Sequence, residues 1–190
     1  MKPQVRVLAV DDAPFRFDSQ KAMVVGVVMR LPNYLEGVLR SECEVDGEDA
    51  NQVLEGMVQG SRFKRQLKAV MIDGVALGGF NLVDIDALHD SIHVPIITVT
   101  RDPPDLVKMK AALRKHFPDW ERRYELLTRK ELMEVETGHK PILVSLAGVG
   151  YADAKEIIRK SMVRGAVPEP LRVAHIIAGG LAKGESKGKA

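Results

Sequence analysis

Three acidic groups stand where hydrophobic runs end or an amphipathic one begins. The apolar run 5–10 leads into Asp11 and Asp12, and the run 67–72 leads into Asp73 and Gly74. Between them, Asp46, Glu48 and Asp49 precede an amphipathic stretch. Carboxylates released from the ends of neighbouring strands can converge on one edge of a sheet. Held together, they repel one another unless a cation compensates them. Magnesium prefers such oxygen ligands. One or two ions there would orient a water, stabilise charge on a phosphate and assist the departing oxygen. That is the chemistry of phosphodiester hydrolysis.

Each acid also has a plainer reading. Strand alternation sends only one of Asp11 and Asp12 to a given face, and the other is free to serve a turn. Asp73-Gly74 is a common turn pair. Asp49 sits where a helix-starting acid is ordinary. The combination, rather than any member, points to metal.

Other chemistries have less support. The five histidines, His89, His93, His116, His139 and His175, form no zinc signature on a single helix. His175, four residues after Leu171 in an apolar helix, reads as a packing residue as readily as a catalytic one. Ser145 lacks the glycines of a nucleophile elbow. Gly148-Val149-Gly150 fits neither a Walker loop nor a dinucleotide fingerprint. Basic groups recur at Arg62–Lys68, Lys108–Lys115 and Arg122–Lys130, the last interleaved with Trp120 and Tyr124. Such groups neutralise phosphates and an aromatic can stack on a base, although ordinary solvated surface looks the same.

The elements that must position these residues follow from hydrophobic periodicity. Residues 5–10, 22–30 and 34–45 read as three strands with short links, hence a meander. Residues 49–63 read as a helix with Val53, Leu54, Met57 and Val58 on its apolar side. A fourth strand, 68–72, follows a helical connection, which favours parallel placement. Residues 78–81 are expected to be a flexible loop and 84–88 a short helix. A fifth strand at 94–100 and a helix to about 115 come next. Residues 117–137 read as charged and broken. A small strand at 142–146 and helices at 151–162 and 168–180 complete the chain.

This order resembles the ribonuclease H-like fold. The expected class is α/β, a mixed sheet with a three-stranded antiparallel start, flanked by helices. One domain is expected over 1–183, with a frayed tail at 184–190. A helical crossover after the first strand would favour another doubly wound fold. The stretch 13–21, with Pro14 and Phe17, is too short for one.

The 190 residues, 45% hydrophobic, suffice for one full core. A formal net charge of only +2 excludes a strong whole-molecule field, so nucleic acid must be met by local patches. The single cysteine, Cys43, allows no intramolecular disulfide. No apolar run approaches the ~20 residues of a membrane helix. Residues 1–4 lead straight into a strand, arguing against a secretory signal. A cytoplasmic setting and no membrane partner are expected.

The motifs Val10-Asp11-Asp12-Ala13-Pro14-Phe15, Val45-Asp46-Gly47-Glu48-Asp49-Ala50 and Ile72-Asp73-Gly74-Val75-Ala76-Leu77-Gly78-Gly79-Phe80-Asn81 resemble an archaeal family of endonuclease V relatives, the endonuclease dU-like proteins. The closing Pro168-Glu169-Pro170-Leu171-Arg172-Val173-Ala174-His175 looks like the C-terminal segment of endonuclease V itself. The resemblance covers almost the whole chain. It implies a ribonuclease H-like endonuclease, dependent on magnesium or manganese, that acts in DNA repair and leaves a 3′-hydroxyl and a 5′-phosphate. Asp11 best matches the family's first acid, with Asp12 a rival. Asp49 matches the second, with Asp46 the alternative, and Asp73 matches the third.

Two departures bear on substrate. Endonuclease V carries a Pro-Tyr-Ile-Pro wedge before its helix acid, whereas this chain has Leu39-Arg40-Ser41-Glu42-Cys43-Glu44. Endonuclease V also has a Gly-His pair after its late Val-Ser strand, and here Val144-Ser145-Leu146-Ala147-Gly148 has no histidine. Hypoxanthine is therefore less well supported than deoxyuridine, with undamaged DNA or RNA as further substrates. The competing functions are a nucleic-acid-binding protein on a decayed nuclease fold and a small-molecule nucleotide phosphohydrolase.

Overall fold

The structure is a computed structural model that describes residues 5–16 and 18–186. Phe17, the start 1–4 and most of the expected tail lie outside the described residues. The sheet begins with β1 (Arg6–Asp12), β2 (Lys21–Arg30) and β3 (Tyr34–Glu44), an antiparallel meander as expected. Val7, Leu8, Ala9 and Val10 of β1 are all fully buried. A strand covered on both faces reads as an unbroken apolar run rather than an alternating one.

Helix α1 (Ala50–Gln59) returns the chain to β4 (Ala69–Asp73), which lies parallel to β1. After a short ribbon, β5 (Ala76–Leu77) and β6 (Asn81–Leu82), helix α2 (Ile85–Ile92) leads to β7 (Ile96–Thr100), parallel to β4. Helices α3 (Leu106–His116) and α4 (Trp120–Thr128) then precede β8 (Met133–Val135) and β9 (Ile142–Ala147). Helices α5 (Tyr151–Ser161) and α6 (Glu169–Lys183) close the chain. The sheet order is β3-β2-β1-β4-β7-β9-β8, a ribonuclease H-like mixed sheet flanked by helices.

Alternation within the strands divides the core. Leu8, Val10, Val24, Ile72 and Ile96 pack with Leu54 and Val58 of α1 and with Leu88 and Ile92 of α2. Val7, Ala9, Met71, Ile97 and Val99 face the other way, against Ala154 and Ile158 of α5 and Leu171 of α6. Ala174 and Ala178 of α6 pack on Val25, Val27 and Met29 of β2. Gly26 permits the close approach on the first face, because an added Cβ there would come within 2.7 Å of the Met57 sulfur.

Five sequence expectations need correction, the last two only in their bounds. The segment 117–137 is ordered as α4 and β8. Its hydrophobic pattern is weak because the one buried side chain on α4 is Arg123 rather than an apolar residue. The loop 78–81 is not free: Gly78 and Gly79 turn the β5–β6 ribbon, and Asn81 at its end is completely buried. The helix expected over 84–88 continues to Ile92, capped by the Asp84 carboxylate, which accepts the Ala87 N–H. The helix expected over 49–63 spans Ala50–Gln59, and the last one runs to Lys183.

Candidate metal centre

The parallel pairing of β1 and β4 sets Val10 beside Ile72. One residue on in each strand stand Asp11 and, level with it, Asp73. Equal steps along parallel strands point to the same face, so both carboxylates project towards α6. Asp12 takes the opposite face.

Helix α6 completes the group. Its first turn begins at Pro168 and is fixed by a bidentate ion pair from Arg172 to Glu169, both contacts at 2.7 Å. The helix lies across β1 and β2 through Ala174 and Ala178. That docking delivers His175, whose Nδ1 is 2.8 Å from Asp11 Oδ2. Ligand atoms of Asp11, Asp73 and His175 all lie within 4.8 Å of one another. Among the described residues it is the one place where three such side chains could share an ion.

The electrostatics are those of a site with too little positive charge. Burial, the charge of Asp73 and that of Asp12 push the Asp11 carboxyl from 3.8 up to about 6, against the hydrogen bond from His175. Burial also raises Asp73, opposed by Arg101 and His175. The nearest Arg101 nitrogen is 4.0 Å from Asp73, too long for a tight pair. Asp12 is raised by burial as well, opposed first by the Gly78 N–H. It still senses the charges of Asp73 and His175 across the strand end. A divalent cation among these groups would remove the repulsion, and two carboxylates with one imidazole form a donor set that manganese or magnesium accepts. The residues therefore fit such an ion. Asp11 and Asp73 would supply the oxygen ligands of such an ion, and His175 would orient Asp11 or add a nitrogen.

Asp46 and Asp49 stand elsewhere, in a turn sealed by hydrogen bonds. Asp46 adopts φ 56°, and its Oδ1 accepts the Phe80 N–H at 2.7 Å. The Asp49 carboxylate accepts the Glu44 N–H at 3.1 Å and the Asn81 side-chain amide at 2.6 Å. Asn81 in turn accepts the Ala50 N–H at 3.0 Å. Asp49 occupies the N-cap position of α1 but makes no cap bond with its side chain. Arg123 locks the same turn from α4. Its guanidinium donates to the carbonyls of Gly47 at 2.9 Å and Phe80 at 2.7 Å, is paired with Asp119 and lies 4.4 Å from the Phe117 ring centre. Between the two acid groups lies buried Cys43, whose thiol is pushed up to about 12 by burial, then by Asp49 and Asp12.

A cavity of about 410 Å³ opens one residue beyond Asp73, at the same end of the sheet. Gly74, Ile85, Leu106 and Leu126 line it together with Thr98 and Ser145, whose hydroxyl donates to the Glu131 carbonyl at 3.3 Å. Thr98 and Ser145 are buried, and Thr98 Oγ1 accepts the Ser145 N–H at 3.2 Å. The volume and the mix of apolar wall with few polar groups suit a small organic ligand.

The structure thus brings together Asp11, Asp73 and His175, sets Asp12 on the reverse face, and leaves Asp46 and Asp49 outside the group. The sequence singled out His175 without assigning it to the site. The available signal was its spacing: four residues after buried Leu171 and one after buried Ala174, it falls at the inner edge of the helix.

Comparison with known proteins agrees with this architecture. A curated relative from Methanosarcina acetivorans, called a UPF0215 protein, is 45% identical over 193 residues, covering 100% of this chain and 97% of its own. A crystal structure from Archaeoglobus fulgidus, described as a protein of unknown function, superposes with TM-score 0.81 at 34% identity, covering 92% of this chain and 96% of that one. Human ENDOV superposes with TM-score 0.60 at 17% identity, covering 93% of this chain and 84% of that one. Ciona intestinalis endonuclease V, solved with a 24mer DNA containing an inosine followed by a ribo-adenosine, superposes with TM-score 0.57 at 13% identity, covering 90% of this chain and 83% of that one. Those last two likenesses establish an endonuclease V-like fold. The family profile described as Endonuclease dU matches residues 3–182, almost the entire chain. With this match from end to end, the chain belongs to the Endonuclease dU family.

Proposed function

We propose that this protein is a metal-dependent endonuclease that hydrolyses a phosphodiester bond in DNA near deoxyuridine. The observation that carries the reading is the co-level placement of Asp11 and Asp73, joined by His175 at one sheet end, where an apolar cavity opens on the opposite face of the sheet. Family membership supports nuclease chemistry, and the DNA held by the Ciona protein on the same fold supports the polymer. A divalent ion at the trio, magnesium or manganese, supplies Lewis-acid stabilisation of phosphate charge and nucleophile activation.

The chain's own groups divide the remaining work. Asp11 and Asp73 fix the ion at the sheet edge. His175 holds the Asp11 carboxylate in orientation through Nδ1. Arg101, beside Asp73, offers positive charge where a phosphate would approach. The cavity receives a base turned out of the helix, excluded from water by Ile85, Leu106 and Leu126. Thr98 and Ser145 hydroxyls present polar groups to the edge of that base. Backbone contacts position the strand, and the cavity supplies the choice of base.

Nicking of matched DNA and RNA oligonucleotides tests this reading. The strands carry uracil, hypoxanthine, an abasic site or no lesion, with magnesium or manganese. Cleavage beside deoxyuridine, absent in a folded Asp73→Ala variant, is expected. Cleavage that persists in Asp73→Ala would sink the site, and preference for hypoxanthine or for RNA would sink the substrate. A second reading, a DNA-binding protein that does not cut, draws on the sealing of Asp46 and Asp49 in hydrogen bonds. Lesion-dependent binding without cleavage in either metal would favour it.

A further inference from the structure

The basic groups of this chain differ in what neutralises them. In the group Arg122–Lys130, Arg122 pairs with Glu48 and Asp119, Arg129 with Asp84, and Lys130 with Asp86. The group Arg62–Lys68 has no such partners. Between Glu55 and Asp73 stand Arg62, Lys64, Arg65 and Lys68, and no acid. Arg62, Arg65 and Lys68 are exposed, and none of the four pairs with a carboxylate of the described residues. The fold adds two more cations. Lys68 donates its N–H to the Arg6 carbonyl at 2.8 Å, which sets the cluster at the start of β1. There Arg6 and Arg30 share one carboxylate, Glu36, and Arg6 also donates to the Gln66 side chain. Two guanidinium groups lie on aromatic rings. Arg30 is 4.7 Å from the Tyr34 ring centre, and Arg62 is 4.8 Å from that of Phe63. Phe63 covers Gly37, where an added Cβ would come within 2.9 Å of the ring, so both stacks sit at the first residues of β3.

Six cations thus surround one carboxylate at the end of the sheet opposite the metal centre. Their excess is larger than the formal +2 of the whole chain, so the rest of the molecule is net negative. Such a pole attracts a polyanion. An arginine already stacked on a ring loses little freedom on meeting a phosphate. A protein-docking patch would instead carry an apolar centre in which lysine is depleted. From Arg6 to Asp11 along β1 is roughly 17 Å, a span that about five base pairs of duplex cover. We propose that the turn 62–68, with Arg30 and Tyr34, is a second DNA contact, which binds the phosphate backbone about five base pairs from the lesion without reading sequence. The choice of DNA rests on the nuclease reading above, because a polymer cut at one end of the sheet is long enough to reach the other.

The test is metal-free binding of a labelled, undamaged duplex, followed by fluorescence anisotropy across a salt series. The variant combines Arg62→Gln with Arg65→Gln, both at exposed positions outside the core. Each lost phosphate contact lowers the slope of log affinity against log salt by about one, so the slope should fall by roughly two and low-salt affinity by at least ~10-fold. Arg159→Gln with Lys160→Gln, a basic pair on α5 held by Glu156, should leave the slope unchanged. With metal, wild type should prefer lesion duplexes that extend beyond about five base pairs on one side. The Arg62/Arg65 variant should lose that preference and cut short duplexes at the wild-type rate. Wild type that does not bind the duplex, or an unchanged slope in the Arg62/Arg65 variant, overturns the proposal, as does an equal fall in the α5 variant. Loss of poly-glutamate binding with the duplex slope intact also overturns it and makes the patch a docking site for an acidic protein. The predicted fall in slope, with no cleavage of any substrate by wild type, upholds the contact and sinks the nuclease reading alone.

Discussion

The two acid groups of this protein look alike in sequence and opposite in structure. At the end of β1 and β4, buried Asp11 and half-buried Asp73 stand side by side, and their carboxyls are pushed upward even though Asp11 accepts the Asp12 N–H and meets His175. In the turn before α1, Asp46 and Asp49 are met by backbone N–H groups and by Asn81, and the turn is pinned by Arg123. A carboxylate whose lone pairs are occupied by protein donors contributes to the fold. One desolvated beside like charges that its partners only partly offset stores free energy that a cation releases. Function is expected where the structure leaves charge unsettled, at some cost in stability.

The sharpest break in this comparison is between Asp73→Asn and Asp49→Asn. Asp73→Asn should lower cleavage by more than the ~10–100-fold typical of losing an outer partner of a metal ligand. Asp49→Asn should act on stability, by about 1–2 kcal/mol in urea unfolding, because one acceptor of a buried network is weakened. Equal loss of cleavage in the two folded variants would erase the distinction and return Asp49 to the metal site.

Arg123 tests the sealed turn from its other side. Its side chain is only 8% exposed and makes pairs with Asp119 and Glu48 besides two carbonyl bonds. Its acidic partners are 28% and 59% exposed, so the cost of removing it comes mainly from the two carbonyls left without a charged donor, about 1.5–3 kcal/mol. Arg123→Met should therefore lower the urea midpoint more than Asp49→Asn does. A loss below about 1 kcal/mol would mean that α4 and the turn are held together by other contacts.

The unsettled group should show itself through pH. A carboxyl raised in the fold contributes stability that is complete below its unfolded value, and that contribution is lost as pH rises through the folded one. For Asp11 this window runs from 3.8 to about 6, and the raised values of Asp12 and Asp73 add in the same direction. Metal-free protein should therefore gain from these groups as pH falls from 7 towards 5, and saturating magnesium or manganese should flatten the trend by competing with protons. Asp11→Asn should raise metal-free stability at pH 7 by on the order of 1–2 kcal/mol while abolishing cleavage. A destabilised variant would show that the His175 contact outweighs the repulsion.

Much of the fold was legible because its central strands are apolar in unbroken runs. The meander, the parallel fourth strand and the placing of Asp11 and Asp73 at strand ends all follow from period and length. The segment 117–137 was not legible for the same physical reason reversed. Its helix is held by a buried arginine and its ring stack on Phe117, and hydrophobic periodicity does not register such an anchor. The β5–β6 ribbon, two residues in each strand, is too short to show alternation.

The sequence by itself determined which residues could bear charge at the sheet edge and, through alternation, that Asp11 and Asp12 must part. Local pattern settles such questions because each strand's period is set by its own backbone. Only the tertiary structure decided which acids share a site. The register of β1 against β4 levels Asp11 with Asp73, and α6 brings His175 to Asp11 from 164 positions away. Asn81 and Arg123 reach across 32 and 76 positions to occupy the turn that carries Asp49. Whether a carboxylate is spent on the fold or left for a cation depends on the donors packed around it, and those come from remote parts of the chain.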